Sequence, residues 1–105
     1  MSYYDEYVGH MLRTYYAEIA PAKLSEIALR NCAVVDGILS GKSDQENIIL
    51  REVFAKPKRT PLHETVRKCA VNHQMTELDV WRMVRAVSRE IALERGLIDE
   101  FAPGR

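Results

Sequence analysis

The segment CAVNHQMTELDVWRMV, residues 69–84, holds two helical patterns separated by the polar break Asn72–Met75. A break this short predicts a tight corner between two packed helices. Such a corner either only joins two core helices or also places the second helix in the major groove of DNA. The two interpretations need the same buried residues and differ in what the outward face of the second helix carries.

The residue types through the corner follow the order of a helix-turn-helix. That order is a small residue where the helices cross, an apolar residue in the turn, a capping hydroxyl, and two apolar anchors. The matching residues are Ala70, Met75, Thr76, Val80 and Met83. Gln74 stands where glycine is usual, and it can adopt the left-handed backbone conformation at some cost in free energy.

The whole chain predicts an all-α single domain of five helices, with no strand and a helix-turn-helix at residues 62–95. Helices are expected over about Tyr3–Ile19 and Ala22–Leu39, then from Ser43, from Thr60–Pro61, and from Thr76 to Arg95. Residues 1–41 would form an N-terminal helical hairpin, and residues 43–98 the part that carries the corner.

Helix starts are marked by capping residues. Ser43 and Glu46 match a capping box, in which each side chain bonds the backbone of the other residue. Thr60 followed by Pro61 predicts a cap and a first-turn proline for the fourth helix. Thr76 with Asp79 predicts the start of the fifth, because carboxylates are favoured in the first helical turn.

The fifth helix is expected to bury one stripe and to expose arginines on the other side. At 100° per residue, the core stripe is Val80, Val84, Val87 and Ile91. Leu78, Arg82, Arg85 and Arg89 fall about 140–200° away from Val80. The stripe is either a solvated face or a DNA-facing one, and the guanidinium fork suits phosphate and guanine edges.

Composition places the chain among ordinary globular domains. Of 105 residues, 47% are hydrophobic and 29% charged, so a single modest core is expected. The net charge is zero, but residues 1–55 hold five Lys or Arg against eight Asp or Glu, and residues 56–105 hold ten against seven. Any contact with nucleic acid is therefore expected in the second half.

Neither a membrane segment nor a targeting signal is expected. The opening MSYYDEYVGHMLRTYY is acidic and amphipathic, without the basic-then-apolar order of a signal peptide. No apolar run is long enough to span a bilayer. We therefore expect a cytoplasmic protein that does not contact a membrane.

The cysteines and histidines predict no cofactor and no metal. Cys69 and His73 stand four residues apart, a spacing compatible with two zinc ligands, but only His63 adds a nearby nitrogen. We expect Cys32 and Cys69 to be reduced and buried. The sequence contains no glycine-rich oxyanion turn and no phosphate-binding loop, which argues against an enzyme.

The stretch from about Ser43 to Ile98 resembles region 4 of the sigma-factor family, which recognises promoter elements. It is most similar to small stand-alone proteins of this type from phages and mobile elements. The resemblance lies in SDQENIILREVF, in the corner residues given above, and in VWRMVRAVSREIALERGLI. The opening YYDEYVGHMLRTYY also resembles the first helix of those small proteins.

The resemblance implies a transcriptional regulator that recognises double-stranded DNA with the helix after the Asn72–Met75 turn and contacts RNA polymerase. The residues implied to face the bases are Thr76, Glu77, Leu78, Trp81, Arg82 and Arg85. Trp81 also fits a half-buried core aromatic, since it lies on the flank of the helix. Candidate phosphate contacts, which position a protein without recognising sequence, are Lys56, Lys58, Arg59, Arg67, Lys68 and Arg89.

The tyrosines of the first helix leave a second function open. Tyr4 and Tyr15 belong to the expected apolar stripe with Ile19, whereas Tyr3, Tyr7 and Tyr16 fall off it. A helix that is apolar on more than one side predicts deeper burial or a partner surface. The alternative function is therefore an all-helical interaction or adaptor protein, acting as a dimer, whose arginines are only solvated.

Overall fold

The structure, a computed structural model, describes residues 3–55 and 60–97, with side chains described for 6–55 and 60–97. These residues form α1 (Tyr3–Tyr16), α2 (Glu26–Leu39), α3 (Asp44–Phe54), α4 (Leu62–Asn72) and α5 (Glu77–Glu94). A short 3-10 turn, Pro21–Lys23, lies between α1 and α2. The described ranges contain no strand, so the predicted all-α single domain is confirmed.

α5 lies at the centre of the packing and contacts each of the other four described helices. Its inward stripe is the predicted one, and all four members are buried: Val80, Val84, Val87 and Ile91. Burying an aliphatic side chain of this size stabilises a fold by about 1.5–3 kcal/mol. α5 therefore supplies the surface on which the other helices assemble.

The side chains that meet α5 come from every other helix. The largest fully buried ones outside α5 are Val8, Met11, Leu12, Val35, Ile49, Leu50, Val53, Phe54 and Val66. They form one cluster that spans both halves of the chain. None of the described helices has the length and apolar character needed to cross a membrane.

The predicted caps are partly correct. Ser43 forms both hydrogen bonds of the capping box with Glu46 at the start of α3. Thr60 is not the cap of α4, because the N-cap residue is Pro61 and no side chain bonds that helix end. Proline fixes the backbone for helix entry by its ring alone, so the hydroxyl of Thr60 is not required.

The connection between α1 and α2 differs from the prediction. α1 ends at Tyr16, because Glu18 adopts a left-handed backbone conformation with φ of 54°. Ile19 is consequently exposed rather than part of the core. α2 begins later than predicted, after Ser25, whose Oγ accepts a hydrogen bond from the backbone N–H of Ala28 at 3.1 Å.

The inward face of α2 is less apolar than its sequence suggested. Ile27 is 59% exposed, whereas Asn31 is buried. Asn31 donates from Nδ2 to the Tyr7 hydroxyl at 3.1 Å, and its Oδ1 accepts from Arg95 Nε at 2.7 Å. A buried amide is tolerated when its hydrogen bonds are made, and here they connect α1, α2 and the end of α5.

The tyrosines of α1 also divide differently from the prediction. Tyr16, expected to lie off the apolar stripe, is buried, and burial raises its pKa. Tyr15 is half-buried and donates its hydroxyl to Asp36 Oδ1 at 2.7 Å, and this bond chiefly raises the pKa of Tyr15 to about 12. Tyr7 is exposed, and the side chains of Tyr3 and Tyr4 lie outside the described residues.

The burial of Ala70 generates a stability prediction. Ala70 is 3% exposed in the core, on the helix that precedes the corner. Ala70→Leu is expected to overpack this position and to lower the free energy of unfolding by about 1–3 kcal/mol. Thermal or urea unfolding measures the change. Ala33→Leu, the same substitution at an exposed position of α2, should change stability by less than about 0.5 kcal/mol. Equal effects of the two variants would show that Ala70 is not packed.

Candidate nucleic-acid interface

The corner between α4 and α5 is closed by two backbone hydrogen bonds. The N–H of Met75 donates to the carbonyl of Ala70 at 2.8 Å, and the N–H of Gln74 donates to that of Val71 at 3.2 Å. Gln74 has a φ of 54°, as predicted. This pair of bonds around one left-handed residue is the Schellman helix ending, which satisfies carbonyls that the helix leaves free. It stops α4 and turns the chain toward α5.

α5 starts as its capping residue predicted. The Oγ1 of Thr76 accepts a hydrogen bond from the N–H of Asp79 at 3.1 Å. Met75 and Met83 are half-buried against the core, and Val80 is fully buried. These side chains hold the first turns of α5 on the rest of the protein, so the rotation of the helix about its axis is determined.

That rotation leaves most of the predicted base-facing residues in solvent. Thr76, Glu77, Leu78, Arg82 and Arg85 are all exposed, with Leu78 at 53%. Arg89, predicted to meet phosphate, is exposed two turns further along the helix. The exposed α5 face, defined as these six residues, therefore includes three guanidinium groups.

Trp81 differs from the exposed α5 face. It is half-buried and packs against the core, and it lines a cavity of about 350 Å³ with Gly9, Phe54, Leu62, Val84, Arg85 and Ser88. The Arg85 guanidinium carbon lies 6.0 Å from the centre of the Trp81 ring, within the range of a cation–π contact. Trp81 thus supports Arg85 from the side instead of projecting outward.

The ion pair on the exposed α5 face is weak. Arg82 Nη1 lies 4.0 Å from Asp79 Oδ1, and both side chains are largely in solvent. Exposed pairs of this kind contribute about 0.2–1 kcal/mol. A phosphate or a guanine edge can therefore compete with Asp79 for the Arg82 guanidinium.

The predicted phosphate contacts fall into two groups. Arg67 and Lys68 are exposed on α4, the helix that precedes the corner. Lys56, Lys58 and Arg59 lie outside the described residues, between α3 and α4. At the edge of that connection, Arg13 of α1 donates from Nη2 to the carbonyl of Thr60 at 3.3 Å.

A second polar cluster lies between α3 and α4 and was missed at the sequence level. Glu52, Cys69 and His73 bring their oxygen, sulfur and nitrogen atoms within 4.8 Å of one another. His73 is half-buried, and its Nε2 bonds Glu52 Oε2 at 2.8 Å. Glu52 lies on α3, 21 residues from His73, so no local spacing signalled it. His63, the nitrogen considered from the sequence, is exposed and does not join the cluster.

The two thiols are free and differ in burial. Cys69 is buried, and desolvation, with a smaller contribution from Glu52, raises its pKa to about 12. Cys32 was expected to be buried but is half-buried, because it lies beside the inward face of α2 and not on it; partial burial raises its pKa. Both thiols are therefore protonated at neutral pH.

Comparison with known proteins adds no relative. Neither family models, nor curated proteins, nor solved structures give a match to this chain. The resemblance to sigma region 4 consequently stays a prediction that rests on the residues quoted above.

The left-handed residue of the corner generates a second stability prediction. A non-glycine residue in this conformation costs about 1–2 kcal/mol, and glycine avoids the cost but loses about 0.5–1 kcal/mol through its freer unfolded chain. Gln74→Gly is therefore expected to raise the free energy of unfolding by about 0.5–1 kcal/mol in urea titrations. Gln45→Gly, in the first turn of α3, should instead destabilise by a similar amount. A loss of stability in both variants would contradict the corner geometry.

Proposed function

We propose that this protein is a DNA-binding transcriptional regulator that inserts the N-terminal half of α5 into the major groove of duplex DNA. The observation that carries the proposal is the exposed α5 face, in which Arg82, Arg85 and Arg89 project from a helix whose other side is fixed in the core. A rigidly held helix that presents guanidinium groups after a tight corner has the geometry of a recognition helix.

The chemistry of the exposed α5 face supports recognition of bases. A guanidinium group can donate two hydrogen bonds to the N7 and O6 atoms of guanine, Glu77 can accept from the cytosine amine, and Leu78 can contact a thymine methyl group. Leu78 is 53% exposed beside the arginines, so its side chain is available for such a contact. Direct contact with base edges would remove it from solvent.

The surrounding charge supports contacts with the DNA backbone. Arg67 and Lys68 are exposed on α4, and the half of the chain that includes α4 and α5 holds ten Lys or Arg against seven Asp or Glu. Arginine and lysine next to a recognition helix set its position on the duplex through phosphate oxygens. Lys56, Lys58 and Arg59 are proposed as further phosphate contacts from the sequence alone.

The resemblance to sigma region 4 extends the proposal to a partner. By that resemblance the protein contacts RNA polymerase in the cytoplasm and belongs with the small regulators of phages and mobile elements. This part of the proposal depends on the quoted residues and on no contact within the structure.

A second candidate function is an interaction protein without DNA binding, acting as a dimer or adaptor. It is favoured by large apolar side chains in solvent away from α5, namely Ile27 at 59% and Ile48 at 52% exposure. Such side chains contribute most to binding when they meet a complementary protein surface. The two candidates differ in whether the arginines of α5 are needed.

Substitution of Arg82 tests base recognition. Arg82 lies in the first turns of α5, the part of a recognition helix that reaches base edges. Arg82→Ala is expected to weaken binding to the preferred duplex by about 1–3 kcal/mol and to relax preference at one base pair. The preferred duplex is obtained by selection from a random pool, and affinities are measured by fluorescence anisotropy. The melting temperature should change little, because Arg82 is exposed.

Substitution of Arg89 tests phosphate contact. Arg89→Ala should weaken binding to all duplexes alike and lower the slope of log affinity against log salt by about one. Arg30→Ala, an exposed arginine on α2, is the matched control and should leave affinity and slope unchanged. Equal affinity for all three variants, or no salt-dependent binding by the native protein, would favour the interaction protein.

A further inference from the structure

We infer that Glu52, Cys69 and His73 form a binding site for one zinc-type divalent cation between α3 and α4. The carboxylate, thiol and imidazole ligand atoms all lie within 4.8 Å of one another. This inference does not depend on DNA binding, because none of the three residues belongs to the exposed α5 face.

The packing of α3 against α4 brings the three side chains together. Cys69 and His73 are four residues apart at the end of α4, so they lie one above the other on the same side of that helix. α3 packs against α4 and supplies Glu52, whose Oε2 lies 2.8 Å from His73 Nε2. Two ligands thus come from one helical turn and one from a facing helix, which supplies three of the four ligands that zinc usually takes.

Metal binding requires a small rearrangement of the ligand atoms, in which the 2.8 Å contact between His73 Nε2 and Glu52 Oε2 widens. Ligand atoms bound to zinc at about 2.0–2.3 Å in tetrahedral geometry lie about 3.3–3.7 Å from each other. No two ligand atoms of the cluster lie more than 4.8 Å apart. Changes in the side-chain torsions of Glu52 and His73, both of which are half-buried, would bring the three atoms to these separations.

The donor set selects the kind of cation. A thiolate and an imidazole favour zinc and related transition metals, whereas magnesium and calcium take mainly oxygen ligands. Three protein ligands leave one coordination position for water. A cavity of about 260 Å³ adjoins Glu52 and Cys69 and is large enough for such a water, and its other lining residues are Thr60, Thr65, Lys68 and Asn72.

Binding exchanges protons for the cation. The Cys69 thiol loses its proton to water and binds through Sγ. In the hydrogen bond to Glu52, Nε2 of His73 carries the imidazole proton. On binding, this proton passes to water and Nδ1 takes one up from water, so that the neutral ring offers the lone pair of Nε2. The cation then occupies the space between Nε2 and Glu52 Oε2, where one hydrogen bond lies in its absence.

The competing explanation is a purely structural cluster. His73 is the C-cap residue of α4 and is paired with Glu52, and the Cys69 thiol lies 3.8 Å from the carbonyl of Ile49. All three groups therefore have partners without a metal. Only a measurement of metal binding separates the two explanations.

The test uses Co²⁺, which reports its own ligands by absorption. The full-length protein, without a histidine tag and stripped with a chelator, is titrated with Co²⁺ and then with Zn²⁺. We expect one equivalent of Co²⁺ to bind with a thiolate-to-cobalt charge-transfer band in the near ultraviolet. Zn²⁺ should displace it and raise the melting temperature, because the cation joins α3 to α4 in the folded state only.

Variants assign the ligands. Cys69→Ser should abolish the charge-transfer band, and Glu52→Gln and His73→Gln should each weaken Co²⁺ binding by at least about tenfold. Cys32→Ser and His63→Gln are the matched controls and should bind as the native protein does. If Cys69→Ser does not fold by circular dichroism, the half-buried position of His73 still permits the test through His73→Gln.

Three results would overturn the inference. The first is the absence of a charge-transfer band in the native protein. The second is a band that survives Cys69→Ser but disappears in Cys32→Ser. The third is Co²⁺ affinity unchanged in both His73→Gln and Glu52→Gln, which would place the bound metal elsewhere.

Discussion

The burial of one stripe of α5 is the constraint on which the other features depend. Val80, Val84, Val87 and Ile91 face inward, and every other described helix packs on α5. The opposite side of α5 stays exposed as one broad strip along the helix. That strip holds the arginines, so the same packing that stabilises the domain also orients the proposed recognition surface and keeps it rigid.

The corner before α5 fixes the position of the first turn of that helix. The left-handed Gln74 stops α4, and Thr76 starts α5 two residues later. His73 immediately precedes Gln74 and is held by Glu52 of α3. The inferred metal site would therefore fasten the beginning of the corner to α3. Core packing and the metal site would then both stabilise the turn Asn72–Met75.

Polar contacts join the N-terminal helices to the far end of α5. Asn31 connects Tyr7 of α1 with Arg95, and Lys42, between α2 and α3, pairs with Glu90 of α5. α1 and α2 therefore do not form a separate hairpin beside the corner. They share its hydrophobic cluster and hold the C-terminal half of α5, while the N-terminal half is held by the corner.

The sequence alone determined the five helices, the core stripe of α5, and the left-handed Gln74, because periodicity and capping residues are local signals. Local spacing also predicted the exposed arginines, since a helix with one buried side must expose the other. Tertiary packing decided that Asn31 is buried and Ile27 exposed, because a partner 64 residues away satisfies the amide. It also brought Glu52 to Cys69 and His73, since only the contact between α3 and α4 joins residues so distant in the chain.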